Sequence, residues 1–190
     1  MRHSETDNAM QEQIFVATER LMATEGLPNL SMHKIAKEAC ISAGTIYIYF
    51  KSKEDLLEQF AVRVFANFQY ALAKDVDVTR CYFEQYRQMW KNIWHHLLDN
   101  PMILSNMHQY KSLPRFCDLC QDFEDKSYWA KFCQKAKQAE YLCDLPISVL
   151  FSLGLESAMK LAYNRVHFND VLSEDMLENI IERTWRSIQK

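Results

Sequence analysis

One stretch narrows the choice of fold more than any other: Ser31 to Leu57, SMHKIAKEACISAGTIYIYFKSKEDLL. Met32, Ile35, Ala36 and Ala39 recur at helical spacing and give a first short helix one apolar face. Ser31 is placed to cap it. Cys40 and Ile41 carry a turn, Ser42 caps a second helix from about Ala43 to Tyr49, and a third begins at Ser52. Two short helices about a tight turn make the plan of a helix-turn-helix, whose second helix enters the DNA major groove.

The second helix is built for close approach. Ala43 and Gly44 open it with almost no side chain, and the free N–H groups of a helix start favour phosphate. Thr45, Tyr47 and Tyr49 bring hydroxyls, and Lys51 and Lys53 bring charge. Ile46 and Phe50, four apart, are placed to hold the helix on a core.

Composition limits the alternatives. With 3 Gly and 4 Pro in 190 residues, the composition argues against an all-β fold with many tight turns. No apolar run approaches the roughly 20 residues that span a bilayer. The N-terminal MRHSETDNAM lacks the apolar core of a signal peptide, so a cytoplasmic location is expected. The net charge is −3, so affinity for nucleic acid has to come from a local patch. Residues 31–53 hold Lys34, Lys37, Lys51 and Lys53 against Glu38, a net +3. That predicts weak non-specific binding and a steep dependence on salt and on dimerisation. The 6 cysteines are expected to be thiols. Cys117 and Cys120 form a lone CxxC with no second pair and no HxxxH, so neither metal nor cofactor is expected.

The rest of the chain reads as helix, for about nine helices in an all-α fold. The first runs from Asn8 to Glu25 after a frayed start over residues 1–7, with Met10, Ile14, Ala17, Leu21 and Met22 as its stripe and a left-handed cap at Gly26. Others are expected at Ser52–Ala73, Val78–Leu98, Met102–Tyr110, Asp118–Ala139, Pro146–Phe168, and from Ser173 to the end. Catalysis has little to work with. There is no GxGxxG, P-loop, GxSxG or Glu-x-x-His, and His95 and His96 would point about 100° apart on a helix. The chain is not expected to be an enzyme.

Glu25-Gly26, Ile35-Ala36 and Ser42 to Leu56, above all Gly44-Thr45-Ile46-Tyr47-Ile48-Tyr49-Phe50-Lys51-Ser52-Lys53, resemble the N-terminal domain of the TetR family of bacterial transcriptional regulators. The remainder is similar in length and helical character. One departure is Cys40, where the family commonly has Gly; a left-handed turn there would cost a non-Gly residue roughly 1 kcal/mol.

The resemblance implies a three-helix DNA-binding domain over 8–53 and a larger helical ligand-binding and dimerisation domain over 54–190. It implies a ligand-responsive regulator, acting as a repressor on an inverted-repeat operator. By motif matching, Thr45, Tyr47 and Lys53 would anchor phosphates. His33, Ala43, Gly44, Ile48 and Tyr49 would face or adjoin base edges, with Ser42 at the head of the helix. Packing on the core is the competing role for Tyr47 and Tyr49. The two C-terminal helices would pair with a symmetry mate as a four-helix bundle, with Gly154, Ala158, Leu177, Ile181 and Trp185 as candidate contacts; a purely intramolecular core would use the same stripes. Trp90, Trp94, Met107, Tyr110, Trp129, Phe151 and Met159 are candidate walls of a pocket for an unknown, mostly apolar effector, although such stripes more often form plain core. Two alternatives stand beside this reading: a DNA-bound adaptor switched by a protein partner, and a redox or metal sensor using its thiols.

Overall fold

Serines punctuate the chain. Ser31, Ser42, Ser127 and Ser173 each accept a hydrogen bond from the backbone N–H three residues on, and each opens a helix. Ser52 accepts from Asp55 N at 3.1 Å, and the Asp55 carboxylate reaches back to Lys51 N at 2.8 Å. The computed structural model describes residues 2–190, with side chains from Asp7 onward. The fraying expected over residues 1–7 is not what is observed beyond Met1: α1 begins at Arg2, six residues before the expected Asn8.

Among the described residues the helices are α1 (Arg2–Glu25), α2 (Met32–Glu38), α3 (Ala43–Tyr49), α4 (Lys53–Ala73), α5 (Tyr82–Asp99), α6 (Pro101–Tyr110), α7 (Phe116–Lys126), α8 (Tyr128–Gln138), α9 (Ile147–Leu153), α10 (Glu156–Phe168) and α11 (Glu174–Ile188). A single 3-10 turn, Leu27–Asn29, follows α1. The all-α class, with an N-terminal helix-turn-helix and a larger helical remainder, is the fold observed.

Three boundaries depart from the sequence reading. The helix expected over 118–139 breaks at Ser127, which is fully buried and caps α8. The helix expected over 146–168 breaks at Gly154 and Leu155, where Gly154 adopts φ −105°, ψ −89°. The helix expected from Val78 starts at Tyr82, because Asp77 accepts from both the backbone and the hydroxyl of Thr79 and folds the segment into a turn. Gly26 does end α1, but at φ 85°, ψ 149°, a region only glycine occupies, and not in the left-handed cap conformation.

The chain forms two compact units. The first gathers residues 1–64 and 102–117. Its core packs Phe15 in tilted contact with Phe50 at 5.4 Å and Phe60 at 6.1 Å, beside the fully buried Ile14, Met22, Ile35 and Ile46. α6 belongs to this unit and serves the end of α1. Asn106 Nδ2 donates to Glu19 O at 2.8 Å and Gln109 Nε2 to Met22 O at 2.9 Å. Gln109 Oε1 accepts from Leu27 N at 2.6 Å, and the Tyr110 hydroxyl donates to the buried Glu19 carboxylate at 2.9 Å. Met22 O, which also accepts from Gly26 N, thereby gains a second donor, and Leu27 N, just past the helix end, finds its acceptor in a side chain.

The second unit comprises residues 65–101 and 118–190. α5 is its central helix and packs on α10 and α11. Tyr86 donates to Thr184 Oγ1 and Trp90 Nε1 to Ser157 Oγ, both at 2.8 Å. Arg87 and Lys91 of α5 converge on Glu178 of α11 at 2.7 and 2.5 Å. Gly154 lets α9 end against α5: a Cβ there would sit 3.2 Å from the Tyr86 ring.

Candidate nucleic-acid interface

The turn between α2 and α3 is made by hydrogen bonds that reach back over the end of α2. Cys40 N donates to Lys37 O and Ile41 N to Ala36 O, with Cys40 at φ 54°. This is the paired closure of a Schellman motif, and the left-handed residue it needs is here a cysteine. The chain then enters α3 through Ser42, whose Oγ accepts from Thr45 N at 3.0 Å and lies 2.7 Å from Thr45 Oγ1.

α3 is held from one side only. Ile46 and, just beyond the helix, Phe50 are fully buried in the first unit. The other side is open: Ile48 is 78% exposed, Tyr47 52% exposed, and Gly44 is exposed as well. Ala43, Thr45 and Tyr49 are half-buried at its edge. An isoleucine left almost wholly in water is the kind of large apolar exposure that marks a contact surface. Seven residues of helix span about 10 Å, which fits a major groove about 12 Å wide.

Charge is distributed around this face. On α2, His33 and Lys37 are exposed; beyond α3, Lys51 is exposed and Lys53 half-buried. Lys34 is committed elsewhere, to Glu25 at 2.6 Å and Asn29 O at 3.1 Å. Glu38, the acid of the stretch, is taken up by Arg20 at 3.0 Å. Lys37, Lys51 and Lys53 have no ion-pair partner among the described residues. The surface therefore offers ammonium groups, hydroxyls, an apolar side chain and a bare helix start together.

The other candidates of the sequence reading lie apart from this face. In the second unit Trp90 and Trp94 stack at 5.9 Å, and Trp129 meets Phe151 edge-on at 6.3 Å, with Met159 half-buried. Met107 and Tyr110 belong to the first unit, where the Tyr110 hydroxyl is occupied by Glu19. Gly154, Ala158, Leu177, Ile181 and Trp185 are all buried within their own chain, Trp185 with its ring 5.2 Å from Tyr86. The exposed large apolar residues of the same region are Val149, Leu153, Val166, Phe168, Val171 and Met176. The 6 cysteines are free thiols, and among the described residues no three His, Cys, Asp or Glu side chains gather as a metal site. Sequence reasoning missed Asn106 and Gln109, whose only signal was two amides on the short α6.

Comparison with known proteins places this geometry. Residues 14–60 match the bacterial regulatory proteins, tetR family, and residues 81–189 match the tetracyclin repressor-like C-terminal domain. An HTH-type transcriptional regulator of Haemophilus influenzae is 54% identical over the full length of both chains. The crystal structure of a TetR-family transcriptional regulator from that organism superposes with a TM-score of 0.92 at 53% identity, over 97% of this chain and 99% of the other. A TetR family protein of Vibrio parahaemolyticus superposes with a TM-score of 0.81 at 30% identity, over 95% and 99%. Among the described residues no helix is long and apolar enough to cross a membrane. The fold and the relatives are those of a DNA-binding regulator rather than of an enzyme, and likeness at this identity over the whole length settles the kinship: the chain belongs to the TetR family, as a helix-turn-helix transcriptional regulator.

Proposed function

We propose that the protein is a ligand-responsive repressor that binds an inverted-repeat operator as a homodimer in the cytoplasm and leaves it when a small, mostly apolar effector binds. The observation that carries this reading is the outward face of α3, with Ile48 and Tyr47 in solvent over a buried Ile46. Two copies of α3 would enter successive major grooves about 34–36 Å apart. Tyr47, Lys53 and Thr45 would position the helix on phosphates, Thr45 after releasing its hydroxyl from Ser42. Ile48 and Ala43 would meet thymine methyls, while Tyr49 and His33 would hydrogen-bond to base edges and Gly44 would keep the backbone close. Few of these side chains form two parallel hydrogen bonds to one base, so DNA shape supplies much of the specificity.

The second copy would dock on the exposed apolar residues of α9, α10 and α11, with the buried stripe beneath them keeping those helices in place. The effector would enter the aromatic core around Trp90, Trp94, Trp129, Phe151 and Met159. Release requires an effector that prefers the non-binding conformation, by ~10⁴-fold for a switch from 1:99 to 99:1.

Selection from a random duplex pool at moderate salt tests the reading. An inverted repeat is expected. Effector-free protein, verified by native mass spectrometry, that enriches no motif would overturn it.

A further inference from the structure

The second unit carries a cleft of about 370 Å³ that uses none of the aromatic residues discussed as effector candidates. One wall is a single face of α8. Tyr128, Lys131, Phe132 and Lys135 fall at helical spacing of three and four, so two rings and two ammonium groups point the same way. The other wall is the start of α5, Tyr82 and Gln85, with the turn before it, Val78, Arg80 and Cys81. Tyr141 closes one end. After α8, Glu140 turns left-handed at φ 60° and Tyr141 N donates to Ala136 O at 2.8 Å, which brings the Tyr141 ring to 4.9 Å from Tyr82.

The walls are held before any ligand arrives. Gln85 Nε2 donates to Arg80 O at 2.8 Å, and the Tyr82 ring packs edge-on against Phe132 at 5.8 Å. Preorganisation of this kind reduces the cost of binding. The charge is one-sided. Arg80, Lys131 and Lys135 line the cleft, no Asp or Glu does, and none of the three is in an ion pair among the described residues. Neighbouring cations are engaged instead: Lys126 by Asp122, Lys137 by Asp144, Lys190 by Glu140. Asp77 lies near Arg80, but its carboxylate is held by Thr79. Beside these cations, Tyr141 at 51% and Val78 at 65% leave apolar surface uncovered.

We propose that this cleft binds a small aromatic carboxylate, its ring lying among Tyr82, Tyr128, Phe132 and Tyr141 and its charge meeting Lys131, Lys135 and Arg80. The volume sits at the lower end of small-molecule sites, about 300–1,000 Å³, and suits one or two fused rings. The site is independent of the apolar effector, and its test reads binding alone.

The full chain is titrated by calorimetry with 2-naphthoate and, separately, with its neutral twin 2-naphthalenemethanol. Saturable binding of one naphthoate per chain is expected, weakened by added salt. The neutral twin binds about tenfold more weakly, and a Lys131→Gln/Lys135→Gln variant loses about tenfold for naphthoate, as the removal of charged hydrogen-bond donors implies. Both lysines are exposed, so the variant keeps its circular dichroism spectrum. Absence of saturable naphthoate binding at millimolar concentration overturns the proposal. So does equal affinity for the neutral twin, or unchanged affinity in the variant.

Discussion

Gln109 accepts the backbone N–H of Leu27 at 2.6 Å, while its own amide N–H donates to Met22 O. One side chain on α6 thus closes both sides of the α1 terminus around Gly26. Gln109→Ala leaves the partly buried Leu27 N–H unsatisfied, while Met22 O keeps its bond from Gly26 N, and is expected to cost about 1–3 kcal/mol. Urea unfolding measures this; a loss within a few tenths would show that water replaces the amide.

The left-handed turn at Cys40 gives a prediction of opposite sign. Cys40 is exposed, at φ 54°, and its side chain makes one weak contact, from Sγ to Glu38 O at 3.9 Å. Cys40→Gly is expected to raise stability by up to about 1 kcal/mol without changing operator affinity. A fall in stability would mean that the thiol contributes more than its geometry shows.

α3 separates folding from reading. Ile48 is 78% exposed and Ile46 is 0% exposed, two residues apart. Ile48→Ser is expected to leave stability within about 0.5 kcal/mol and to change which bases are preferred. Ile46→Ala is expected to cost about 2–5 kcal/mol. Tyr47→Phe weakens all sequences alike if the hydroxyl binds phosphate. Operator selection with each purified variant distinguishes the three.

Arg87 and Lys91 hold the Glu178 carboxyl at about 2, below its ordinary 4.5. The folded value is depressed, so the stability it contributes is complete above pH 4.5 and is lost as pH falls toward 2. All three groups are partly in solvent, which limits the contribution to about 1 kcal/mol. Unfolding midpoints of the wild type and Glu178→Gln should differ at pH 7 and converge near pH 2. A constant difference would remove the ion pairs as its cause.

Gly154→Ala tests which contact the glycine serves. A Cβ would lie 3.1 Å from Leu150 O and 3.2 Å from the Tyr86 ring, so overpacking is expected to cost about 1–3 kcal/mol. The loss should not depend on protein concentration. A concentration-dependent loss would place the close approach between two copies.

Local chemistry was legible where a residue type has one physical use. Serine caps at Ser31, Ser42 and Ser173 and the anchoring pair Ile46 and Phe50 follow from spacing, while the left-handed turn at Cys40 comes from the family resemblance. Breaks inside long apolar patterns were not. Phe123, Ala130 and Cys133 keep helical spacing across Ser127, so periodicity runs through the cap that divides α7 from α8. Stripes also report burial without naming the partner. Leu177, Ile181 and Trp185 fit either a surface for a second chain or an intramolecular core by spacing, and they lie buried within their own chain. The return of α6 to the first unit rests on two amides and a tyrosine hydroxyl, which leave no periodic trace.

That return has a consequence during synthesis. Residues 1–64 leave the ribosome with Leu27 N and the Glu19 side chain still without their α6 partners, because Gln109 and Tyr110 have not been translated. The helix-turn-helix core therefore waits for the stretch up to residue 117 before its last buried polar groups are met. At about 5–20 residues per second, the delay lasts several seconds. During it, the Glu19 carboxylate lacks the Tyr110 hydroxyl that meets it in the finished unit.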